Sequence, residues 1–343
     1  MVTSFRAQEK MLDNTRYIAK QRSVDISVVS ALYNEAASAD ELLRRLDAVF
    51  RQLGTTYELI IVDDGSTDDS LNKLKAHVGN IDNLRIVELY RNKGQVAALS
   101  AGMTVARGEW VIMLDADLQH DPKTILKFFE LSREGYDLVA SYREHREETA
   151  IRKLITLIGN TVNRYLIGAE IKDFGSAFRM INANILTMLT DSRGYVHYNT
   201  PAIYLNAKKQ VEIPITQHRR EHGSSKWTLL AFIFFNLDFI AASPRLTQIL
   251  LMLSGIGILS GVALYSLFQI GFFADVSAIS APVSIVFTSF TLAILAVVWR
   301  EVMEVMKVSK GVPPFFISAI WSDGVAECDD LVVVPAANRT AEN

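Results

Sequence analysis

Cysteine is nearly absent from this chain, because Cys328 is the single one among 343 residues. An intrachain disulfide and a metal site built from thiolates are therefore excluded, and we expect a reducing compartment. The sequence also lacks the G-x-G-x-x-G and G-x-x-x-x-G-K-[ST] motifs. Neither a dinucleotide-binding fold nor a P-loop is indicated. The net charge of −3 gives no indication of nucleic-acid binding, and we expect none.

Charge is missing from two long stretches near the C-terminus. Residues 246–274 contain no charged residue, and residues 276–299 are again uncharged after Asp275. Each stretch is long enough for one membrane-spanning helix, and a buried pair of core helices is the less favoured alternative. Residues 227–244 are apolar but carry Asn236 and Asp238, which favours a helix lying along the bilayer surface.

The distribution of basic residues predicts the membrane topology. Residues 271–281 contain no Lys or Arg, whereas Arg245 precedes the first stretch and Arg300, Lys307 and Lys310 follow the second. The positive-inside rule then places both ends of the chain in the cytoplasm. Residues 1–21 are polar and charged, without the apolar core of a secretory signal. We expect a multi-pass inner-membrane protein, with a homo-oligomer formed through the membrane region.

The predicted domains follow from these patterns. They are a lead-in over residues 1–23, a globular α/β domain over 24–226, an interfacial helix over 227–244, two transmembrane helices over 245–300, and a cytoplasmic tail over 301–343.

Strands and helices alternate along residues 24–226, which favours a mostly parallel sheet with helices on both faces. Strands are predicted over residues 26–30, 59–62, 84–89 and 110–114, and helices over 39–52 and 94–106 and from Thr67 and Pro122. Polar motifs follow these strands directly. Because such sheets bind ligands at the carboxyl ends of their strands, we expect one site at a common rim. The motifs are Tyr33-Asn34-Glu35, Asp63-Asp64-Gly65-Ser66, Asn92-Lys93-Gly94-Gln95 and the segment around Asp115.

The segment V-I-M-L-D-A-D-L-Q-H-D-P, residues 111–122, is the most informative of these motifs. Four apolar residues of a predicted strand run into Asp115 and Asp117, with Gln119 two positions further on. At strand-like spacing Asp117 and Gln119 point the same way and converge on one ion. Carboxylate and amide oxygens suit Mg²⁺ or Mn²⁺, and such an ion usually bridges phosphate oxygens.

Taken together, the motifs resemble those of the family 2, GT-A-fold glycosyltransferases, and most closely the polyprenyl-phosphate glycosyltransferases. The resemblance covers residues 24 to about 227 and implies a GT-A, Rossmann-like α/β fold. Ala31 stands where that family carries a proline. The matching motifs are A-L-Y-N-E (31–35), I-I-V-D-D-G-S-T-D (60–68), N-K-G-Q-V-A-A-L-S-A-G (92–102), L-D-A-D-L-Q-H-D-P (114–122), D-F-G-S-A-F-R (173–179) and R-E-H-G-S-S-K (220–226).

The resemblance also implies roles for individual residues. Asp117 and Gln119 would ligate the metal, and Arg220 and Lys226 would lie on a loop that closes over the diphosphate. With Asp115, the residues Asp117, Arg220 and Lys226 form the implied catalytic set. Donor contacts are implied for Tyr33, Glu35, Val62, Asp64, Asp115, Ala116 and Asp117, and contacts to the acceptor phosphate for Arg143, Arg152 and Thr156.

The implied reaction is inverting transfer of a hexose-type sugar from a UDP- or GDP-sugar to a polyprenyl phosphate, for cell-envelope glycan or glycolipid modification. Two alternatives stay open. One is a family 2 transferase acting on a hydroxyl, which needs a carboxylate base; processive members of that kind carry a Q-x-x-R-W element, which this sequence lacks. The other is a non-catalytic membrane protein that binds nucleotide-sugars.

Overall fold

A computed structural model describes residues 22–144, residues 171–217 except 174, 192 and 193, and residues 315–322 and 325–327. Isolated helical positions between residues 161 and 302 are also described. The chain divides into two compact units. The first contains residues 1–156, 169–226 and 313–343, and the second contains residues 157–168 and 227–312.

The first unit is built on a nine-stranded sheet in the order β7-β5-β6-β4-β1-β2-β3-β8-β9. Its centre, β3-β2-β1-β4, is wholly parallel, and among the described strands β6 and β8 run against the others. The sheet is therefore mixed but mostly parallel. The strands are β1 Val24–Leu32, β2 Tyr57–Asp63, β3 Leu84–Leu89, β4 Gly108–Asp115, β5 Leu138–Arg143, β6 Arg179–Asn182, β7 Gln210–Ile215, β8 Ile317–Ser322 and β9 Val325–Glu327.

Helices connect the strands and pack on the sheet. The described helices are α1 Ala39–Leu53, α2 Ser70–Ala76, α3 Gln95–Val105, α4 Thr124–Arg133, α5 Ala183–Met188 and α6 Thr200–Asn206. Helix α1 is amphipathic and buries an apolar stripe that includes Leu42, Leu46 and Phe50. Helix α3 differs, because small residues allow it to be buried over most of its length. It follows that α3 can approach β1 and β2 closely.

The predicted strands are confirmed, and each extends to the predicted residues or slightly beyond them. The helix expected from Thr67 begins at Ser70, because residues 66–69 form a loop whose polar groups bind neighbouring loops. Within the described residues no helix is long and apolar enough to cross a membrane. The predicted interfacial helix and nearly all of the two predicted spans lie outside those residues.

The chain returns to the sheet after its apolar region. Strand β8 pairs antiparallel with β3, and Phe315, Ile317 and Ile320 are buried. The indole Nε1 of Trp321 donates to Oε2 of Glu88 at 3.1 Å. The sequence patterns assigned residues 301–343 to a tail and predicted no strand there. The return means that residues 217 and 315, which flank the apolar region, both belong to this unit.

A buried polar network closes the end of the sheet opposite to the polar motifs. Glu58 accepts from Ser27 Oγ at 2.5 Å and from Arg85 Nη1 at 3.0 Å, and it also accepts the backbone N–H of Arg107. Arg85 Nη1 donates in addition to the carbonyl oxygen of Val105. This network joins the starts of β1, β2 and β3 to the end of α3.

Gly102 allows the close approach of α3 to the sheet. A Cβ at this position would collide with Cγ1 of Val29 and lie 2.9 Å from Cγ2 of Val62.

We predict that Gly102→Ala lowers the free energy of unfolding by roughly 1–3 kcal/mol, although alanine favours a helix by about 1 kcal/mol. Thermal and urea unfolding of the purified protein measure the change. Because Val29→Ala removes the obstructing methyl groups, the double variant should cost less than the sum of the single variants, and strict additivity would contradict the steric cause.

Candidate functional site

The carboxyl ends of four parallel strands meet at one edge of the sheet, as the sequence predicts. In the register of the sheet, Ala31 of β1 pairs with Val62 of β2 on one side and with Asp115 of β4 on the other. Asp63 of β2 pairs in turn with Glu88 of β3. The polar motifs after β1, β2, β3 and β4 therefore lie side by side along this edge, which we call the rim.

The first rim loop, Tyr33 to Glu35, is held by the loop after β2. Asn34 has a positive φ of 50°, and its Oδ1 accepts the backbone N–H of Thr67 at 2.8 Å. The backbone N–H of Asn34 donates to Ser66 Oγ at 3.0 Å, and that of Glu35 donates to Ser70 Oγ at 2.9 Å. These bonds restrain the loop. The side chains of Tyr33 and Glu35 are half-buried.

Asp64 connects the second rim loop to the third. Its side chain is 3% exposed, and its two oxygens accept the backbone N–H groups of Lys93 and Gly94, each at 2.8 Å. Burial raises the pKa of the Asp64 carboxyl above its usual value, while the two N–H groups oppose this rise. In this structure the carboxylate therefore fixes the loop that leads into α3.

Gly65 is required where these two loops touch. Its φ is +65°, and a Cβ there would lie 2.6 Å from the backbone carbon of Arg91 and from the nitrogen of Asn92. Both the left-handed conformation and the contact exclude a side chain. Val62, which was expected to contact the donor, has a side chain that is fully buried. That side chain faces Gly102 of α3, so any contact of Val62 with a nucleotide would come from the main chain.

The segment predicted to bind a metal forms a turn after β4. Asp115, Asp117 and Gln119 are each partly exposed, whereas Ala116 and Leu118 between them are buried. The three polar side chains thus alternate with buried ones, as the sequence predicts. This alternation does not come from a continued strand. Leu118 has a φ of 60°, and the backbone N–H of Gln119 donates to Asp117 Oδ1 at 3.2 Å. A turn, rather than a strand, brings Asp117 and Gln119 together.

Two glutamines that sequence reasoning left without a role contact this motif. Gln95, the first residue of α3, donates from Nε2 to Asp115 Oδ1 at 2.6 Å. Gln217, which follows β7, donates from Nε2 to Gln119 Oε1 at 3.0 Å. Gln95 belongs to a motif recognised in the sequence, whereas Gln217 carried no signal because it lies 98 positions from its partner. Gln217 also lies immediately before the implied closing loop.

The donor set suits a hard divalent cation. The candidate ligands are one carboxylate, Asp117, and one side-chain amide oxygen, that of Gln119, both partly exposed at the rim. Mg²⁺ and Mn²⁺ prefer such oxygen ligands and often complete their shell with water and phosphate oxygens. Within the described residues, no group of three or more His, Cys, Asp or Glu side chains could hold a metal. A site with two protein ligands is consistent with that finding.

Arg143 is bound to the D-F-G-S motif. Its Nε and Nη2 donate to the two oxygens of Asp173 at 2.7 and 2.9 Å, and the backbone N–H of Gly175 also donates to Asp173 at 3.0 Å. Asp173 is 3% exposed, so this bidentate pair orients the guanidinium firmly. Of the expected acceptor residues, the structure describes Arg143 alone. Arg152, Thr156, Arg220 and Lys226 lie outside the described residues.

Arg179, the last residue of the D-F-G-S-A-F-R motif (173–179), is buried. Its Nη2 donates to the carbonyl oxygen of Ser176, and its guanidinium lies 5.5 Å from the ring of Tyr204. The hydroxyl of Tyr204 donates to Glu212, whose pKa is raised by burial. Sequence reasoning did not single out these side chains. They join β6, α6 and β7 behind the D-F-G-S loop.

Comparison with known sequences agrees with the motifs of the rim. The sequence profile of Glycosyl transferase family 2 matches residues 27–188. An undecaprenyl-phosphate 4-deoxy-4-formamido-L-arabinose transferase from Pseudomonas paraeruginosa is 34% identical over 71% of this chain and 72% of its own length. The transferase of the same name from Pseudomonas fluorescens is 30% identical over 304 residues, which is 86% of this chain and 89% of that one.

Among solved structures, glucosyl-3-phosphoglycerate synthase from Mycobacterium tuberculosis, in complex with Mn²⁺, UDP and glucosyl-3-phosphoglycerate, is similar over 65% of this chain and 81% of its own. Its identity is 21% and its TM-score 0.46.

Two carboxyls of the sheet should affect stability in opposite directions as pH changes. Burial raises the pKa of Asp63, whose Oδ1 accepts no hydrogen bond from the described part of the chain. The stability that Asp63 contributes is full below about pH 3.9 and is lost as pH rises through its folded pKa. Hydrogen bonds from the hydroxyl of Thr55 and, with a smaller effect, from that of Thr56 lower the pKa of Asp25. Its contribution is full above about pH 3.9 and is lost as pH falls.

We therefore predict that Asp63→Asn becomes progressively more stable than the unmodified protein as pH rises from 3 to 7. Asp25→Asn is the matched control, and it should become progressively less stable over the same interval. Urea unfolding at each pH measures both differences. A parallel pH dependence for the two variants would contradict the burial of the Asp63 charge.

Proposed function

Because this chain belongs to glycosyl transferase family 2 and is a glycosyltransferase, we propose that it transfers 4-deoxy-4-formamido-L-arabinose from a nucleotide-sugar to undecaprenyl phosphate. The observation that carries this proposal is the 304-residue similarity to a transferase of that name. An alignment of this length extends well beyond the domain of residues 24–226. The proposed sugar is a pentose and replaces the hexose-type sugar expected from the motifs.

The proposed reaction is a single displacement. A phosphate oxygen of the lipid attacks the anomeric carbon and forms the new C–O bond, while the bond to the nucleoside diphosphate breaks on the opposite face. The anomeric configuration is therefore inverted. Because the attacking phosphate is already an anion at neutral pH, the step requires no general base. It requires positive charge at the leaving diphosphate and a fixed orientation of the two phosphates.

The rim residues are assigned to these requirements. Asp117 and Gln119 would hold Mg²⁺ or Mn²⁺, which when bound neutralises charge on the diphosphate. Arg220 and Lys226 would close over the same group. Tyr33, Glu35 and Asp64, with the main chain at Val62, would line the nucleotide subsite, and Asp115 with Ala116 would lie along the sugar-nucleotide.

The acceptor phosphate would be held by Arg143, Arg152 and Thr156. The ion pair with Asp173 supports this role for Arg143, since it fixes the plane of the guanidinium at 17% side-chain exposure. Orientation by a buried carboxylate reduces the entropy lost when a phosphate binds.

A membrane location fits the course of the chain. Strands β7 and β8 lie before and after the apolar region and belong to the same sheet. If the intervening segment crosses a bilayer, it must do so an even number of times, which supports the expected two spans. The positive-inside pattern supports a location of the domain in the cytoplasm, at the inner membrane. A polyprenyl chain remains in the bilayer, so an active site tethered there meets its acceptor. The homo-oligomer stays a prediction.

A donor panel tests the function directly. Purified protein in detergent with undecaprenyl phosphate and Mn²⁺ receives the UDP-linked 4-deoxy-4-formamido-L-arabinose, UDP-glucose, UDP-N-acetylglucosamine or GDP-mannose in separate reactions. We expect the formamido pentose to appear in the lipid fraction at least tenfold faster than any hexose. Preferential transfer of a hexose would refute the sugar assignment. Transfer to a lipid or glycan hydroxyl, or nucleotide binding without transfer, would establish one of the two alternatives.

The metal assignment is tested at Asp117. Asp117→Ala should abolish detectable transfer and weaken Mn²⁺ binding, measured by electron paramagnetic resonance, because it removes the acidic ligand. The matched control is Asp121→Ala, since Asp121 is an exposed carboxylate of the same segment that accepts the backbone N–H of Lys123 at 3.0 Å. This control should retain both properties. Full turnover of the unmodified protein in excess EDTA would contradict metal dependence.

A further inference from the structure

Helix α3 begins at a backbone position that the rim itself determines. Gly94, with a φ of 89°, immediately precedes it, and the carbonyl oxygen of Gly94 accepts the N–H groups of Ala97 and Ala98. The N–H groups of Lys93 and Gly94 are bound by the carboxylate of Asp64. The start of α3, and with it the position of its first side chain, is therefore held by a carboxylate of the loop after β2. That side chain belongs to Gln95.

The amide of Gln95 reaches across the rim to Asp115. Its Nε2 donates to Asp115 Oδ1 at 2.6 Å, and Asp115 pairs with Ala31 at the centre of the sheet. Gln95 is exposed and Asp115 is only partly buried. An exposed hydrogen bond contributes little to folding, whereas a bond to a charged acceptor orients that acceptor strongly. The contact is therefore better suited to positioning Asp115 than to stabilising the fold.

We propose that Gln95 is a positioning residue, which fixes the carboxylate of Asp115 for contact with the sugar-nucleotide. This role rests on the function proposed above. A neutral amide orients the carboxylate and leaves its negative charge in place, whereas a lysine at residue 95 would neutralise it. Residues 93–95 thus connect Asp64 and Asp115, the two carboxylates that are expected to contact the donor. Gln95 acts through Asp115 and need not touch the donor.

A double-mutant cycle tests this role in the full-length protein. The affinity for UDP with Mn²⁺ is measured by calorimetry for the unmodified protein, Gln95→Ala, Asp115→Ala and the double variant. We expect Gln95→Ala to weaken binding about tenfold, the effect of losing one hydrogen bond to a charged group. In the Asp115→Ala background the same change should alter affinity less than twofold. Independent, multiplying losses would overturn the proposal.

Two further variants separate positioning from a merely structural role. Val96→Ala is the matched control, because Val96 is 49% exposed on the same helical turn, and it should bind UDP and unfold like the unmodified protein. Gln95→Glu keeps the length of the side chain but repels Asp115, so it should bind at least as weakly as Gln95→Ala. Gln95→Asn shortens one side chain and Asp115→Glu lengthens the other. The variant that combines both changes should recover part of the loss of UDP binding seen in Gln95→Asn alone. Binding by Gln95→Glu equal to that of the unmodified protein would overturn the proposal.

Transfer kinetics distinguish this inference from the function itself. Gln95→Ala should lower kcat with the donor while the KM for undecaprenyl phosphate stays within twofold, and an equal loss in both would show a general disturbance of the site. If the unmodified protein transfers no sugar to undecaprenyl phosphate, the proposed function fails. The coupling between Gln95 and Asp115 in UDP and Mn²⁺ binding then still decides whether Gln95 positions Asp115.

Discussion

The rim depends on one buried carboxylate that binds the backbone of a neighbouring loop. Asp64 directly follows β2, and its two oxygens accept the N–H groups of Lys93 and Gly94. The charge is costly to bury, as the raised pKa of Asp64 shows. Breaking this contact would leave a buried carboxylate without partners, a change that costs far more than an average hydrogen bond contributes. These two hydrogen bonds restrain the loop after β3 at the point where α3 starts.

Gly65, Gly102 and the side-chain amide of Gln95 connect the loop held by Asp64 to Asp115. Gly65 lets the loop after β2 touch the backbone at Arg91 and Asn92, and Gly102 lets α3 lie directly on β1 and β2. Helix α3 is thus fixed at both its start and its middle, and the position of Gln95 follows. Gln95 in turn contacts Asp115, at the end of the strand that leads into Asp117 and Gln119. The proposed donor subsite and the candidate metal site therefore share one connected framework.

Sequence patterns predicted the parallel core well because each central strand is a short apolar run ended by polar residues. They also predicted that four polar motifs share one edge, since parallel strands align their carboxyl ends. They did not predict β8, because residues 317–322 follow a long apolar region and pair with β3 more than 200 positions away. Nor could they predict the contact of Gln217 with Gln119, or the positive φ of Leu118. Such features depend on distant packing, which leaves no local pattern.

The central claim is that this rim binds the nucleotide-sugar through a cation held by Asp117 and Gln119. The most direct measurement is a crystal structure with Mn²⁺ and a UDP-sugar, in which anomalous scattering locates the metal. We expect one manganese bound by an oxygen of Asp117 and by Oε1 of Gln119, with the diphosphate on it and the sugar-nucleotide lying along Asp115. A manganese bound elsewhere, or a diphosphate remote from the turn after β4, would contradict the account.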